Sequence, residues 1–247
     1  MNHPLHDGSQ HAGQTLRWLP PDTQERYEDN LRDAKTRSML ESFGWIDSDI
    51  TYSFNSHGFR EQEFAIGDCW MALGCSFTQG TGVHQHQRWT SMVADRIGLR
   101  CWNLGLAGAS LDTCYRVARY YLQVLQPRFV VLLEPRPNRM EIFDQREQPF
   151  QINWAYDAPY WGTGHLGRVW VADDRNMQIR AEKTRAAIRW LAHQQNIPVI
   201  VYEPDAYLTR VTDHRCHDLG RDLLHPGVLN NQAFADTVVQ DIQTQCL

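Results

Sequence analysis

Residues 74–78, Gly-Cys-Ser-Phe-Thr, leave a hydroxyl at Ser76 two positions after a glycine, where an apolar run ends. A free hydroxyl is a poor nucleophile at neutral pH and needs a base held against it. A candidate base lies far along the chain, in Gly-Arg-Asp-Leu-Leu-His-Pro-Gly at 220–227. There Asp222 and His225 are three residues apart, so one turn can present both on the same side. The carboxylate would then hold the imidazole in one tautomer and support it when protonated. Asp218 is a second candidate acid, less constrained because seven residues separate it from His225. Cys75 is a rival nucleophile, although adjacent residues leaving a strand face opposite ways and Cys75 is expected to point into the core.

Acyl transfer also needs donors aimed at a developing oxyanion. The stretch 103–110, Asn-Leu-Gly-Leu-Ala-Gly-Ala-Ser, offers the backbone N–H of Gly108. The stretch 134–140, Glu-Pro-Arg-Pro-Asn-Arg-Met, offers the side-chain amide of Asn138, and the N–H of Ser76 is a third donor. Each residue also has a plainer reading: a serine at a helix N-cap, a turn glycine, a loop asparagine, a surface histidine. The spacing of Asp222 and His225, taken together with Ser76, favours the chemical reading.

The elements that must position these residues are strands alternating with helices. Short apolar runs at 69–73, 101–105, 129–133 and 198–202 read as strands covered on both faces. Apolar residues at helical spacing predict helices over 89–97, 111–125 and roughly 177–195 (Ile179, Ala187, Ile188 and Leu191 inward), and a C-terminal helix with Phe234, Val238 and Ile242 on one face. Such βα repeats give a mainly parallel sheet with helices on both sides, which binds ligands at the carboxyl ends of its strands. The loops 74–82, 105–110, 134–140 and 203–227 would all meet at that edge.

In this order the blocks resemble those of the SGNH (GDSL-type) hydrolases, which contribute Ser, Gly, Asn and His. The matches are Gly74 to Thr78, Asn103-Leu104-Gly105 through Gly108, Asn138, and Asp222 through Pro226, spanning about residues 68–244. The upstream Asn-Ser-His-Gly-Phe-Arg at 55–60 is similar to a leader in some bacterial and phage-borne members. The resemblance implies a three-layer α/β/α flavodoxin-like fold and hydrolysis of esters or acetyl esters with no metal or other cofactor. Two blocks depart from the family pattern. Cys75 stands where an Asp is usual, and Arg136 and Arg139 flank Pro137-Asn138 in place of the usual Gly and Asp. These arginines are candidates for attracting an acidic substrate.

Before this region, residues 1–21 read as a flexible arm ending in Pro20-Pro21. Asp22 and Glu25 have capping-box spacing for a helix running to about Phe43. This gives an N-terminal arm and helical extension over 1–50 and a hydrolase domain over 51–247. Within the latter, 141–176 reads as a lid or substrate loop, being long and rich in aromatic residues that include Trp154 and Trp161. Aromatic faces suit sugar rings, and these two residues are candidates for substrate binding.

With 247 residues, 42% of them hydrophobic, the chain has enough apolar side chains for a substantial core. A net charge of -5 argues against a nucleic-acid partner. The apolar runs, about five residues long, are far short of the roughly 20 that span a bilayer. The polar first thirty residues lack the apolar segment of a secretory signal, and the six cysteines form no CxxC pair; the expected compartment is cytoplasmic. His84 with His86, and His214 with His217, lack the companions a metal site needs. The expectation is therefore a serine hydrolase acting on a small or glycan-borne ester, such as an O-acetyl group. The same residues also fit acyl transfer to a sugar, or a catalytically retired glycan-binding module.

Overall fold

The computed structural model describes residues 6–145, 148–153, 173–204 and 218–246. The first of the apolar runs is β3 (Cys69–Leu73), preceded by the short β1 (Thr15–Leu16) and β2 (Tyr52–Ser53). β4 (Arg100–Asn103), β5 (Val130–Leu133) and β8 (Val199–Tyr202) join β3 in one parallel sheet, in the order β4-β3-β5-β8. Its register sets Met71 against Val130 and Trp102. The connections run from β3 to β4 on one side and then to β5 on the other. The loop after β3 thus sits where the winding reverses, and the carboxyl ends of the strands open into a crevice there.

Alternation along β3 sends successive side chains to opposite faces. Cys69, Met71 and Leu73 pack with α5 (Leu111–Leu125) and α6 (Asp174–His193). Trp70 and Ala72 pack with α4 (Trp89–Ile97) and α7 (Val228–Gln245). Two helices on each face make the three-layer α/β/α arrangement. The helices stop where the backbone turns left-handed, at Gly98 after α4 (φ 65°) and Gln126 after α5 (φ 45°). The N-terminus of α5 is closed by Ser110, whose hydroxyl accepts from Thr113 N–H at 3.4 Å. The inward stripe of α6 is Met177, Ala181, Ile188 and Ala192. Ile179, expected inward, is 48% exposed because it lies two positions round the helix from Met177.

The N-terminal region differs most from the sequence expectation. From residue 6 onward it is built into the molecule rather than forming a flexible arm. β1 pairs antiparallel with β2, and Leu19, Leu40, Trp45, Ile50, Tyr52, Phe54 and Val83 form a third apolar cluster. The single helix expected to Phe43 is two, α1 (Gln24–Arg32) and α2 (Ala34–Ser42). They part at Asp33, whose carboxylate accepts from the N–H of Lys35 and Thr36 and so starts the second helix. Thr23, not Asp22, caps α1; the Asp22 carboxylate is engaged by Arg221 instead.

Of the segment expected as a lid, β6 (Arg139–Phe143) and β7 (Pro149–Asn153) form an antiparallel hairpin. Trp154 and Trp161 lie outside the described residues, as do His214 and His217. No helix among the described residues is long and apolar enough to cross a membrane.

Candidate active site

The loop leaving β3 turns at once into the one-turn helix α3 (Ser76–Gln79). Ser76 is its first residue, following the N-cap position held by Cys75. Backbone N–H groups in a first helical turn have no partner within the helix, so this position carries a hydroxyl and an available donor together. Cys75 points away into the core, 6% exposed among the side chains that pack under α5.

Three neighbours fix this turn. Gly105, after β4, lies so close that a Cβ there would stand 2.5 Å from the backbone nitrogen of Gln79. The buried Asn103 amide donates to the Thr78 carbonyl at 2.6 Å and to the Thr90 hydroxyl at 2.9 Å, while its oxygen accepts from Gly105 N–H. Arg60, fully buried, donates to the carbonyl of Gly80, which ends α3, and to those of Val83 and Thr51 at 2.9 Å each. Its guanidinium also lies over the Tyr52 ring at 4.2 Å. Burial and the neighbouring Arg88 lower the Arg60 pKa to about 9. Sequence reasoning assigned neither Asn103 nor Arg60 a role. The signal for Arg60 was present in the 55–60 leader, whose terminal arginine reaches across to the Ser76 loop.

The chain from 218 to 227 closes on itself. Gly220 N–H donates to the His225 carbonyl at 2.8 Å, and Gly227 N–H to that of Asp218 at 3.0 Å. At its tip Leu223 takes a left-handed conformation (φ 53°), a costly choice for a leucine. This bend lets Asp222 and His225 face each other. Asp222 Oδ2 lies 2.5 Å from His225 Nδ1, and Oδ1 accepts from the N–H of His225 at 3.0 Å and of Leu224 at 3.1 Å. Burial alone would raise the Asp222 pKa. The His225 side chain and the two backbone donors outweigh it and hold the pKa below its ordinary value. With Asp222 ionised, the proton of the pair sits on Nδ1, and a neutral imidazole then presents Nε2 as an acceptor. Nε2 lies 2.8 Å from Ser76 Oγ.

Ser76, Asp222 and His225 are all buried, at 5%, 1% and 9% exposure, and the Phe77 ring stands edge-on to His225 at 5.6 Å. Asp218, the alternative acid, is occupied elsewhere: its carboxylate accepts from Leu229 and Asn230 N–H in the first turn of α7.

Ser76, His225 and Gly108 line one cavity of roughly 570 Å³, together with Arg139 and residues from 8–21. Gly108 has φ 75°, a conformation that L side chains rarely adopt, while a Cβ there would meet nothing within 4 Å. It is therefore the backbone angle that calls for glycine. Asn138 and Arg136 line a different cavity, of roughly 680 Å³, against α6. His84 and His86 stack on each other at 5.6 Å, and His84 Nε2 lies 3.2 Å from the Ser48 hydroxyl. Among the described residues no group of three or more His, Cys, Asp or Glu is placed to hold a metal.

No family model matches the chain, and no curated protein matches it. Among solved structures, it is similar to a lipolytic protein of the G-D-S-L family from Desulfitobacterium hafniense, at 14% identity over 70% of this chain and 99% of that one, with a TM-score of 0.38. A lipase/acylhydrolase from Enterococcus faecalis matches at 15% identity over 72% and 97%, with a TM-score of 0.39. A catalytic mutant of the acetylxylan esterase Axe2 from Geobacillus stearothermophilus matches at 12% identity over 73% and 96%, with a TM-score of 0.40.

Proposed function

We infer that this protein is a serine ester hydrolase of the SGNH type. The observation that carries the reading is the unbroken path from Ser76 Oγ through the imidazole of His225 to the carboxylate of Asp222, at 2.8 and 2.5 Å, beside a cavity. Ser76 attacks the ester carbonyl while Nε2 of His225 takes its proton. The negative charge on the carbonyl oxygen is met by the N–H groups of Ser76 and Gly108. Collapse expels the alcohol, which receives the proton from Nε2, and water then releases the acyl group by the same steps in reverse order. Asp222 stays ionised and supports the imidazolium.

An O-acetylated sugar remains a candidate substrate on the aromatic content of 141–176. Arg136 and Arg139 are candidates for contacting an acidic substituent, Arg139 from the wall shared with Ser76. Acyl transfer to a sugar would use the same three residues, and product analysis with and without an acceptor alcohol separates it from hydrolysis. The primary test is Ser76→Ala assayed on p-nitrophenyl acetate. Hydrolysis is expected to fall about 10⁶-fold, to near background, with the folded state retained. A fluorophosphonate probe is expected to label the wild type and not the variant. Full activity in Ser76→Ala with loss in Cys75→Ala would assign the nucleophile to the thiol.

A further inference from the structure

For Nε2 of His225 to reach Ser76 Oγ, two loops from distant parts of the chain must be held at a fixed separation. The N-terminal region ties them together. The Tyr52 hydroxyl donates to Asp22 Oδ2 at 2.6 Å and accepts from the N–H of Gly82 at 3.0 Å. Asp22 also accepts from Nε and Nη2 of Arg221, at 3.1 and 2.7 Å. The backbone closes the cycle, because the Arg221 N–H donates to the Gly82 carbonyl at 2.8 Å. Tyr52, Asp22 and Arg221 are all buried, none of them more than 1% exposed.

Both ends of this cycle reach the residues that would act. Arg221 immediately precedes Asp222. Gly82 packs against the same carboxylate, since a Cβ there would stand 3.0 Å from Asp222 Oδ1. Just before Gly82, the N–H groups of Gly80 and Thr81 donate to the Ser76 carbonyl at 2.9 and 3.1 Å. The cycle thus takes Gly82 from the chain that carries the hydroxyl, Arg221 from the chain that carries the imidazole, and two side chains from neither.

Its members have little freedom to move. Arg221 also donates to the carbonyls of Ser48 and Arg17 at 3.0 Å each, and its guanidinium lies 4.0 Å from the Trp18 ring. Burial and the neighbouring Asp22 raise the Tyr52 pKa, so the hydroxyl keeps its proton and donates. An ion pair this deep adds little net stability, because desolvation offsets the attraction. What it contributes is direction, since a planar guanidinium and a carboxylate orient each other.

We propose that Asp22, Tyr52 and Arg221 are positioning residues, joined in a closed hydrogen-bonded cycle that sets the separation between Ser76 and His225. Catalysis therefore depends on the N-terminal region. The inference rests on the serine hydrolase reading and deepens it.

The test is Tyr52→Phe, which removes one hydroxyl from the cycle and keeps the aromatic ring. Labelling by a fluorophosphonate separates placement from folding. Its final extent counts the chains with a formed site, and its rate reports the alignment of Ser76 with His225. A misplacement of about 1 Å costs about 100-fold. With the Asp22–Arg221 pair intact, Tyr52→Phe is expected to lower kcat and the labelling rate about tenfold, with KM changed less than about twofold. Labelling is still expected to reach the wild-type extent. Thr15→Ala is the control, because its hydroxyl bonds that of Ser53 at 3.0 Å in the same region, exposed and outside the cycle. It is expected to label at the wild-type rate. A wild-type rate in Tyr52→Phe, a lowered extent with a wild-type rate in the fraction that labels, or equal slowing in Thr15→Ala overturns the positioning role and leaves the hydrolase reading standing. A wild type that neither labels nor hydrolyses p-nitrophenyl acetate overturns both.

Discussion

The loops that leave β3 and β5 start from neighbouring strands at the same edge of the sheet, yet they end in different surroundings. The first, carrying Ser76, is tied inward: Asn103 and Gly105 hold it from β4, and Arg60 holds the end of α3 from the segment between β2 and β3. The second, carrying Asn138, is tied sideways to α6. Arg180 donates to the carbonyls of Pro137 and Arg139, and Arg185 pairs with Glu134 at the end of β5. The first loop shares a cavity with His225 and Gly108, and the second, at Asn138, lines another. Adjacency of strands brings both loops to one edge, and the second divides between the two cavities: Asn138 lines the one against α6, while Arg139, held to α6 through its carbonyl, lines the one beside Ser76.

Three variants sharpen this contrast. The largest effect is expected on the fastened side, where Asp222→Asn should lower kcat about 10⁴-fold by favouring the wrong tautomer of His225. The same variant has a signature in stability. Because the Asp222 pKa is held below its ordinary value, its contribution is complete above the usual carboxylate range and is lost as pH falls through the lowered folded value. Denaturant unfolding followed from neutral to acid pH should therefore show a shallower acid decline in Asp222→Asn than in the wild type.

Next comes Arg60→Met, which removes three hydrogen bonds to the loops behind Ser76 while keeping an apolar side chain over Tyr52. A displacement of Ser76 on the order of 1 Å is worth about 100-fold in kcat. Arg60→Met is therefore expected to lower kcat with KM little changed, and to slow fluorophosphonate labelling in proportion. Labelling at the wild-type rate would show that the clamp only supports the fold.

The smallest effect is expected at Asn138. An oxyanion donor is worth about 100- to 1000-fold in kcat, whereas a residue walling another cavity is worth little. Asn138→Ala is expected to change p-nitrophenyl acetate turnover by about threefold or less, against that scale. A 100-fold loss would instead bring Asn138 to the carbonyl oxygen in the substrate complex and erase the contrast between the two loops.

The sequence alone disclosed the parallel sheet and singled out Ser76, Asp222 and His225, which the fold brings within hydrogen-bonding distance. Runs such as 69–73 and 129–133 are apolar without alternation, as a strand buried on both faces requires, and at five residues they are too short for a buried helix. The three-residue spacing of Asp222 and His225 is a local property, and the turn that joins them is local too. The N-terminal region was less legible because its order comes from partners about 200 residues away. Asp22 satisfies the spacing rule for a helix cap, but a buried guanidinium at Arg221 engages it instead. Polar composition suggested a free arm, while Leu19 and the 15–16 pairing with 52–53 depend on contacts that no local pattern records.

Local rules, then, settled which side chains could act: a hydroxyl at a strand end, and an imidazole and a carboxylate one turn apart. Tertiary structure decided which of them meet and what surrounds them. Hydrogen bonding reaches only about 3 Å, and the 2.8 Å between Ser76 and His225 spans 149 positions of chain. The packing of the whole sheet, not any stretch of it, sets that separation and brings residues 8–21 to the cavity wall.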